Sequence, residues 1–313
     1  MSVILENIET EQLYTEYKPL LFSLAYRMLG SVMDAEDIVQ EVFLTLYKSG
    51  SDHIQNMKAY MCKIVTNRCL ELLRSTSKQR EVYVGTWLPE PLVTTASDET
   101  DPMQSYLQKE SVSTAFLLLL QQLSYVERAV FLLREAMQYD YDEIADMVGK
   151  SSANCRQIFH RAKRSLSVKY VPDKLDHVDR GQTANLVEQF MYALTSGDAA
   201  QIMKFLSTDA VLFTDGGGKV KALAQPLHGH IRISHSVSSF LKKWPGSLTC
   251  RIAMVNGLPG IVVYMDEKTW SVISFKVLDG RIVNLYFVAN PDKLTHIKTL
   301  DLSIVGYPEP HGP

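Results

Sequence analysis

The sequence predicts two helical domains followed by an α+β domain. Apolar residues recur with helical spacing from Thr10 to Ser75 and again from Tyr106 to Tyr170. Beyond Thr183, one helical stretch precedes a series of short apolar runs of strand length. A chain of 313 residues is long enough for two or three separate cores. Helices first and a meander of strands afterwards indicate a multidomain protein that ends in an α+β unit.

The composition is that of a soluble globular protein, with 46% hydrophobic and 21% charged residues. The N-terminus has no basic stretch followed by an apolar one, and the longest apolar run, Ala115 to Leu120, is too short to cross a membrane. We therefore expect a cytoplasmic protein without membrane contact. Cys62, Cys69, Cys155 and Cys250 show no C-x-x-C pairing, so we expect reduced cysteines with a structural role.

The net charge of −3 conceals an uneven distribution. The segment from Glu6 to Glu41 is rich in acids, the segment from Lys58 to Arg80 is basic, and Lys150 to Lys169 contains no Asp or Glu. Binding to nucleic acid requires only a local basic face. The two basic segments are therefore the candidates for contact with DNA.

Clusters of proline, glycine and polar residues divide the chain. Pro89, Pro91 and Pro102 predict a linker without regular structure, and Val171-Pro172-Asp173 with Asp179-Arg180-Gly181 mark a second boundary. The predicted units are a first helical domain at 1–80, a linker at 81–106, a second helical domain at 107–170, a linker at 171–181, an α+β domain at 182–300 and a tail at 301–313. In the α+β domain we expect helices near 183–195 and 230–243 and strands at 210–214, 249–255, 260–265, 269–278 and 281–288.

The helix predicted from Asp34 to Lys48 has two different faces. Successive helical residues turn by about 100°, which gathers the apolar side chains on one stripe: Ala35, Ile38, Val39, Val42 and Leu46. The opposite row has the spacing i, i+3, i+4 and i+7 and consists of Asp37, Gln40, Glu41 and Leu44. Acids around an exposed leucine suggest a docking surface, and an ordinary solvated face is the alternative.

The helix predicted from Met57 to Arg74 is basic on its outer side. Its inward stripe is Met57, Met61, Ile64, Val65 and Leu72, and its outer face carries Tyr60, Lys63, Asn67 and Arg74. Cations for phosphates, an amide for a base edge and an aromatic ring for stacking suit an opened nucleic-acid strand. A plain solvated face again remains possible. For Arg68 we expect a buried stem and a pairing with an acid of the same domain.

The segment from Tyr141 to Ser152, followed by Ala153 to Leu166, is typical of a helix-turn-helix. A short helix, a glycine turn, a serine cap and a long basic helix follow one another in the expected order. The apolar stripe of the second helix is Cys155, Ile158, Phe159, Ala162 and Leu166. The residues expected to contact duplex DNA are Ser152, Ala153, Arg156, Gln157, His160, Lys163 and Arg164. A purely structural helical corner is the alternative.

Two motifs together resemble those of a known family. The run from Asp34 to Phe43 resembles the second conserved region of sigma factors, and Leu123 to Arg128 with the helix-turn-helix resembles the fourth. Their order and spacing are similar to the extracytoplasmic function group. The resemblance implies that the row Asp37, Gln40, Glu41 and Leu44 binds the clamp helices of RNA polymerase core. It also implies that Lys63, Asn67 and Arg74, with a loop after Ser75, handle the promoter near −10, and that Arg156, Gln157, His160 and Arg164 hold the −35 element.

Two further motifs resemble a subgroup with a fused SnoaL-like C-terminal domain. One is the linker run of Trp87, Leu88, Pro89, Glu90 and Pro91, and the other is the loop of Asp215, Gly216, Gly217, Gly218 and Lys219. The loop by itself could be a simple hairpin turn. The resemblance implies a cone-shaped regulatory domain that contacts the sigma domains and the linker and modulates promoter engagement. A small ligand in its pocket is possible.

Catalysis by the last domain is the weaker hypothesis. Some relatives of the SnoaL-like fold are enzymes, and Asp215, His228, His230 and His235 are the acid and base candidates here, but they form no paired motif. The pair around Gly229 lacks further ligands for a metal. We expect no catalytic residues, no metal and no cofactor. An ordinary helix-turn-helix regulator and a DNA-tethered enzyme or ligand sensor remain the alternatives to a sigma factor.

Overall fold

The structure is a computed structural model that describes residues 2–49, 54–81, 83–94, 112–167, 180–243 and 248–297. The boundaries expected at residues 106 and 170 lie outside the described residues, as do Pro102, Val171-Pro172-Asp173 and the tail at 301–313. Within the described ranges the chain forms two helical domains and a C-terminal α+β domain.

Three helices form the first domain: α1 (Ser2–Leu29), α2 (Val32–Ser49) and α3 (Met57–Glu81). The stripe predicted for α2 is buried throughout, and on α3 Met61 and Val65 are buried while Met57, Ile64 and Leu72 are half-buried. The sharp corner between α1 and α2 falls at Gly30, whose φ of +70° is one that L side chains rarely adopt.

The loop expected after Ser75 is wrong, because α3 continues to Glu81. No glycine or proline interrupts residues 75–81. The hydroxyls of Ser75 and Thr76 both donate to the carbonyl oxygen of Leu72, so these two polar side chains are satisfied within the helix.

Four helices of the described residues form the second domain: α4 (Thr114–Leu120), α5 (Tyr125–Glu135), α6 (Tyr141–Val148) and the longer α7 (Ser152–Ser167). Reciprocal capping boxes begin α5 at Ser124 and α6 at Asp140. One continuous hydrophobic cluster runs through both helical domains. The buried guanidinium of Arg128 adds a polar link, because it donates to the carbonyl oxygens of Leu120 at 2.9 Å and of Met28 at the end of α1.

The C-terminal domain contains α8 (Arg180–Ser196), α9 (Ala199–Phe205), β2 (Leu206–Asp215), β3 (Leu227–His228), α10 (His230–Lys243), β4 (Leu248–Val255), β5 (Leu258–Met265), β6 (Lys268–Leu278) and β7 (Arg281–Val288). With a short strand β1 (Val93–Thr94) from the linker, the strand order is β1-β4-β5-β6-β7-β2-β3, and β2 with β7 is the parallel pair among the described strands. The elements expected from the sequence are present: the helix at 230–243 and the strand at 281–288 have the expected bounds, and the others are longer. Helix α9 and strand β3 were not expected. Helix α8 begins inside the segment 171–181 that the sequence assigned to a linker.

Both faces of this sheet are covered. The inner face packs on α8 and α10 through residues such as Phe190, Ile233 and Phe275. The outer face, which includes Val262 and Tyr286, forms a separate cluster with side chains of the linker and of α4. The fold therefore buries α4 and the linker between the helical domains and the sheet.

The expectation of a linker without regular structure is wrong at one point. Residues Val93–Thr94 form a short strand, β1, that pairs antiparallel with Val255 and Met254 of β4. An edge strand offers unpaired peptide groups, and a neighbouring extended segment can satisfy them despite the prolines that precede it. The linker is thereby joined to the sheet.

Candidate nucleic-acid interface

The helix-turn-helix is built as the sequence predicts. Asp140 Oδ1 accepts from the backbone N–H groups of Asp142 and Glu143, each at 2.9 Å, and α6 ends at Gly149. At the start of α7, Ser151 Oγ accepts from the backbone N–H of Asn154 at 3.3 Å. The cap is therefore Ser151, and Ser152 is the first residue of the long helix.

The second helix of this motif, α7, has one buried and one exposed face. The five residues of the predicted apolar stripe are all buried. The residues predicted to contact DNA are exposed, except for half-buried Ser152: Ala153, Arg156, Gln157, His160, Lys163 and Arg164. Lys163 forms an ion pair with Glu135 at 3.5 Å, so one of these cations already has an acid beside it.

The basic face of α3, by contrast, lies against the second domain. Lys63 Nζ is 2.7 Å from Asp146 Oδ2 on α6. The Arg74 guanidinium lies 5.9 Å from the ring centroid of Tyr125 on α5. Three of the four residues predicted to contact an opened strand thus lie at or near this contact, since Tyr60 and Lys63 also line a groove of about 380 Å³ against α6. Asn67 is half-buried.

The acidic row of α2 faces solvent. Asp37, Gln40 and Glu41 are exposed, and Leu44 retains 57% of its accessible surface. Arg68 pairs with Glu41 at 3.5 Å and with Glu71 at 3.1 Å. The expected pairing of Arg68 is therefore confirmed, but its side chain is half exposed rather than buried. The row is open to a partner in the same conformation in which Lys63 on α3 is paired with Asp146.

Asp215 is the centre of a buried polar cluster between the C-terminal domain and the linker. Its carboxylate accepts from Tyr83 Oη at 2.5 Å, from the backbone N–H of Leu88 at 2.8 Å and from Lys293 Nζ at 2.7 Å. Lys293 also donates to the carbonyl oxygen of Leu88, and its Nζ lies 4.3 Å from the ring centroid of Trp87. Burial, and then the hydrogen bond to Asp215, raise the pKa of Tyr83 above its ordinary value. We call Tyr83, Trp87, Leu88, Asp215 and Lys293 the linker lock.

The glycine loop gives this cluster its shape. The backbone N–H of Gly217 donates to Asp215 Oδ1 at 3.0 Å, with a φ of +59°. A Cβ at that position would lie 2.3 Å from the side-chain nitrogen of Asn290, which itself donates to Tyr83 Oη. Lys219 contacts Asp292 at 2.6 Å on the surface. The loop is therefore more than a hairpin turn, although Lys219 makes its ion pair outside the linker lock.

Glu90 connects the same linker to the first domain. Its carboxylate accepts from Ser31 Oγ at 2.9 Å and from the backbone N–H groups of Val32 at 2.7 Å and Met33 at 3.2 Å. These are the first N–H groups of α2, which have no partner within the helix. The corner at Gly30 also holds the Trp87 ring, since a Cβ there would lie 2.7 Å from it.

The remaining linker motif residues follow this path. Leu88 and Pro89 are buried, Pro91 is buried beside them, and the carbonyl oxygen of Pro91 lies 2.9 Å from a ring nitrogen of His296. Tyr26 Oη donates to the carbonyl oxygen of Glu90 at 2.6 Å. All five residues of the Trp-Leu-Pro-Glu-Pro run therefore contact, or lie beside contacts with, another part of the chain.

Several residues of these contacts escaped the sequence analysis. Nothing in the spacing of Lys293, Tyr83 and Asn256 along the sequence marks them as members of a contact between domains. Asn256 Oδ1 accepts from the backbone N–H of Leu92 at 2.8 Å, and Asn256 Nδ2 donates to Thr114 Oγ1 at 3.0 Å, so one side chain joins the linker to α4. Asn256 lies in the hairpin between β4 and β5 with a φ of +52°. This positive φ is the backbone feature that distinguishes the residue.

The alternative sites of the C-terminal domain are not assembled. Asp215 is engaged in the linker lock, whereas His230 Nδ1 lies 3.1 Å from the carbonyl oxygen of Thr208 and His228 and His235 are exposed. Among the described residues, no group of three or more His, Cys, Asp or Glu side chains is arranged to hold a metal ion.

The described part of the chain also contains no helix both long and apolar enough to cross a bilayer. The cysteines are free, and burial raises the pKa of the Cys250 thiol to about 11.

Comparison with known proteins covers nearly the whole chain. The family model for sigma-70 region 2 matches residues 13–79, and that for sigma-70 region 4 matches residues 113–166. The ECF RNA polymerase sigma factor SigJ of Mycobacterium tuberculosis is 31% identical over 285 residues, which are 88% of this chain and 90% of SigJ. The probable ECF RNA polymerase sigma factor SigI of the same species is 24% identical, over 90% of this chain and 93% of SigI.

The architecture is shared as well. The crystal structure of Mycobacterium tuberculosis SigJ superimposes with a TM-score of 0.72 at 28% identity and covers 91% of this chain and 98% of that one. The predicted architecture, two helical sigma domains followed by an α+β domain, is confirmed. The chain belongs to the extracytoplasmic function family of RNA polymerase sigma factors, which are transcription initiation factors and not enzymes.

Proposed function

We propose that this sigma factor rests in a closed state that its own C-terminal domain maintains. The observation that carries the proposal is the contact between Lys63 on α3 and Asp146 on α6, at 2.7 Å. An acid of the helix-turn-helix domain stands where a promoter phosphate would pair with Lys63. The surface proposed to hold the opened −10 strand is therefore partly occupied by the domain proposed to read −35, because Lys63 is paired and Tyr60 lines the groove against α6.

The closed state leaves the other two proposed surfaces available. The row of Asp37, Gln40, Glu41 and Leu44 is exposed for contact with polymerase core. The reading helix α7 is exposed for the −35 duplex through Arg156, Gln157, His160 and Arg164, with Lys163 nearer phosphate. Polymerase binding and −35 contact can therefore precede separation of the helical domains, and handling of the −10 element must follow it.

The linker is the means by which the C-terminal domain acts. Glu90 holds the linker to α2, the linker lock holds it to the C-terminal domain, and β1 adds it to the sheet. The hydroxyls of Thr114 on α4 and Ser274 on β6 lie 2.8 Å apart, so the second domain is held by the same sheet. Undocking of the linker would remove one of the restraints on the two helical domains, which would then be held together by their shared hydrophobic cluster and their own polar contacts. A ligand that favours the undocked linker would act as an inducer.

A reversible crosslink across the groove tests the closed state. Gln55 and Asp146 line the groove between α3 and α6, and both are exposed. We expect the double variant Gln55→Cys, Asp146→Cys, joined by a reducible bifunctional thiol reagent, to bind polymerase core but to open no promoter. Reduction of the crosslink should restore transcription, because the same molecules can then separate the domains.

Each single-cysteine variant treated with the same reagent is a matched control. Gln55→Cys should transcribe as the wild type does, and Asp146→Cys at least as well, because it lacks the acid that pairs with Lys63. Transcription by the crosslinked double variant at the level of the reduced one would contradict the closed state.

A further inference from the structure

Tyr141 is on the first helix of the helix-turn-helix and packs against the second, and two arginine side chains lie close to its ring. It is the first residue of α6 and is half-buried. Two guanidinium groups share its ring, that of Arg134 at 4.9 Å from the centroid and that of Arg156 at 5.4 Å. Arg156 is on the exposed face of α7, so the ring connects a core helix to a residue proposed to meet DNA.

The ring itself is held in place. It meets Phe159 of α7 edge to face, with centroids 6.2 Å apart and planes at 69°. Arg134, which approaches the ring from α5, is anchored because its Nη1 donates to the carbonyl oxygen of Tyr139 at 2.7 Å. Arg156 therefore lies over a platform that the domain core fixes before DNA arrives.

We propose that Tyr141 is a positioning residue for base recognition by Arg156, and that the base so recognised is a guanine of the −35 element. The inference rests on the proposed role of Arg156. An arginine reads guanine by donating two parallel hydrogen bonds to O6 and N7, which requires the guanidinium plane to be oriented. A free arginine side chain loses rotamer freedom when it adopts that orientation. The attraction of the cation to the ring restricts the side chain in advance, and so lowers this cost.

Selection from a randomised duplex library tests the proposal. Full-length wild type, Arg156→Ala, Tyr141→Leu and Tyr141→Phe are each used to select bound duplexes, which are then sequenced. We expect wild type to prefer guanine at one base pair, and Arg156→Ala to lose that preference. Tyr141→Leu, which keeps the apolar bulk without the ring, should weaken the same preference about fivefold to tenfold. Tyr141→Phe keeps the ring and should retain it.

Two further measurements separate positioning from a general structural role. In the Arg156→Ala background, Tyr141→Leu should cause no additional loss of base preference, because the residue that it positions is gone. The salt dependence of binding should be unchanged by Tyr141→Leu, since no phosphate contact is removed.

Three results would overturn the proposal. The first is that Tyr141→Leu lowers the affinity for all duplex sequences equally, and the second is that Tyr141→Phe loses the preference for guanine. The third is that Arg156→Ala lowers the affinity for all sequences equally, which would make Arg156 a phosphate contact. A wild type that selects no sequence at all and programs no polymerase would instead show that the proposed function is wrong.

Discussion

Replacement of Lys293 by methionine should undock the linker. The side chain keeps its length and apolar stem but loses the charge that faces Asp215 at 2.7 Å. With the linker docked, both partners are sealed from water, since their side chains are 8% and 0% exposed. Loss of Lys293 therefore leaves a buried carboxylate without its cation, whereas an undocked linker would let water reach Asp215. The substitution penalises the docked state specifically.

The size of the effect follows from the burial. Removal of one partner from a buried ion pair typically costs about 3 to 5 kcal/mol. Tyr83, Leu88 and Gly217 still donate to the carboxylate, so we take the lower end. About 3 kcal/mol shifts the docking equilibrium by roughly a hundredfold. Hydrogen exchange of the linker measures this shift directly, because the N–H groups of Leu88 and Glu90 are hydrogen-bonded when the linker is docked.

Lys219→Met is the matched control. It makes the same change, in the same domain, at a lysine that faces an acid at 2.6 Å, but this pair is 55% and 63% exposed. Exposed pairs contribute little to stability. We expect faster exchange at Leu88 and higher promoter opening in Lys293→Met, with neither in Lys219→Met. Unchanged exchange in Lys293→Met, or equal acceleration in the control, would refute the reasoning.

Three other substitutions test separate parts of the structure. Asp37→Arg combined with Leu44→Ala should abolish co-purification with polymerase core while the melting temperature stays the same; retained association would exclude this row as the docking surface. Glu90→Gln keeps the side-chain volume but removes the charge at the start of α2, and should destabilise the docked linker by about 1 to 2 kcal/mol in denaturant titrations, a result that an unchanged transition would contradict. Because the pKa of Tyr83 is raised in the docked state, docking should be at full strength below the ordinary tyrosine pKa of about 10 and weaken as pH rises above it. Tryptophan fluorescence measured against pH should follow this loss of docking, and Tyr83→Phe should remove the part of the pH dependence that Tyr83 causes. An alkaline profile identical to that of the wild type would assign the pH dependence to other groups.

The helical domains could be predicted from the sequence because their information is local. The stripe of α2 and that of α7 are buried as their spacing requires, and the glycine turn at Gly149 stands between the two helices of the motif. The strands of the last domain were likewise visible as short apolar runs. The two-residue strand at Val93 was missed because the prolines before it predicted no regular structure. The strand forms by pairing with Val255 and Met254, which lie far away in the sequence.

The contacts between domains could not be predicted in the same way. Lys293 and Asp215 are 78 residues apart, and Lys63 and Asp146 are 83 apart, and neither pair has a spacing that a helix or strand would impose. A lysine in a surface-like context is normally solvated, so nothing local marks Lys293 as buried. The family motif indicated that the linker and the glycine loop matter, but the residue that bridges them lies in neither.

Release of the linker and removal of the whole C-terminal domain are physically different events. The outer face of the sheet buries Leu88 of the linker and Ala115 of α4, with Leu118 packed beside them. A chain that ends before α8 would expose these apolar side chains and leave the linker without Asp215 as an acceptor. Its helical domains would then be free of the linker contacts but would also carry an exposed hydrophobic patch that favours aggregation. Undocking by a single substitution in the linker lock keeps the sheet available to cover α4. The regulatory effect of the domain is therefore best judged from substitutions that weaken docking while the domain stays in place, since truncation changes docking, solubility and packing together.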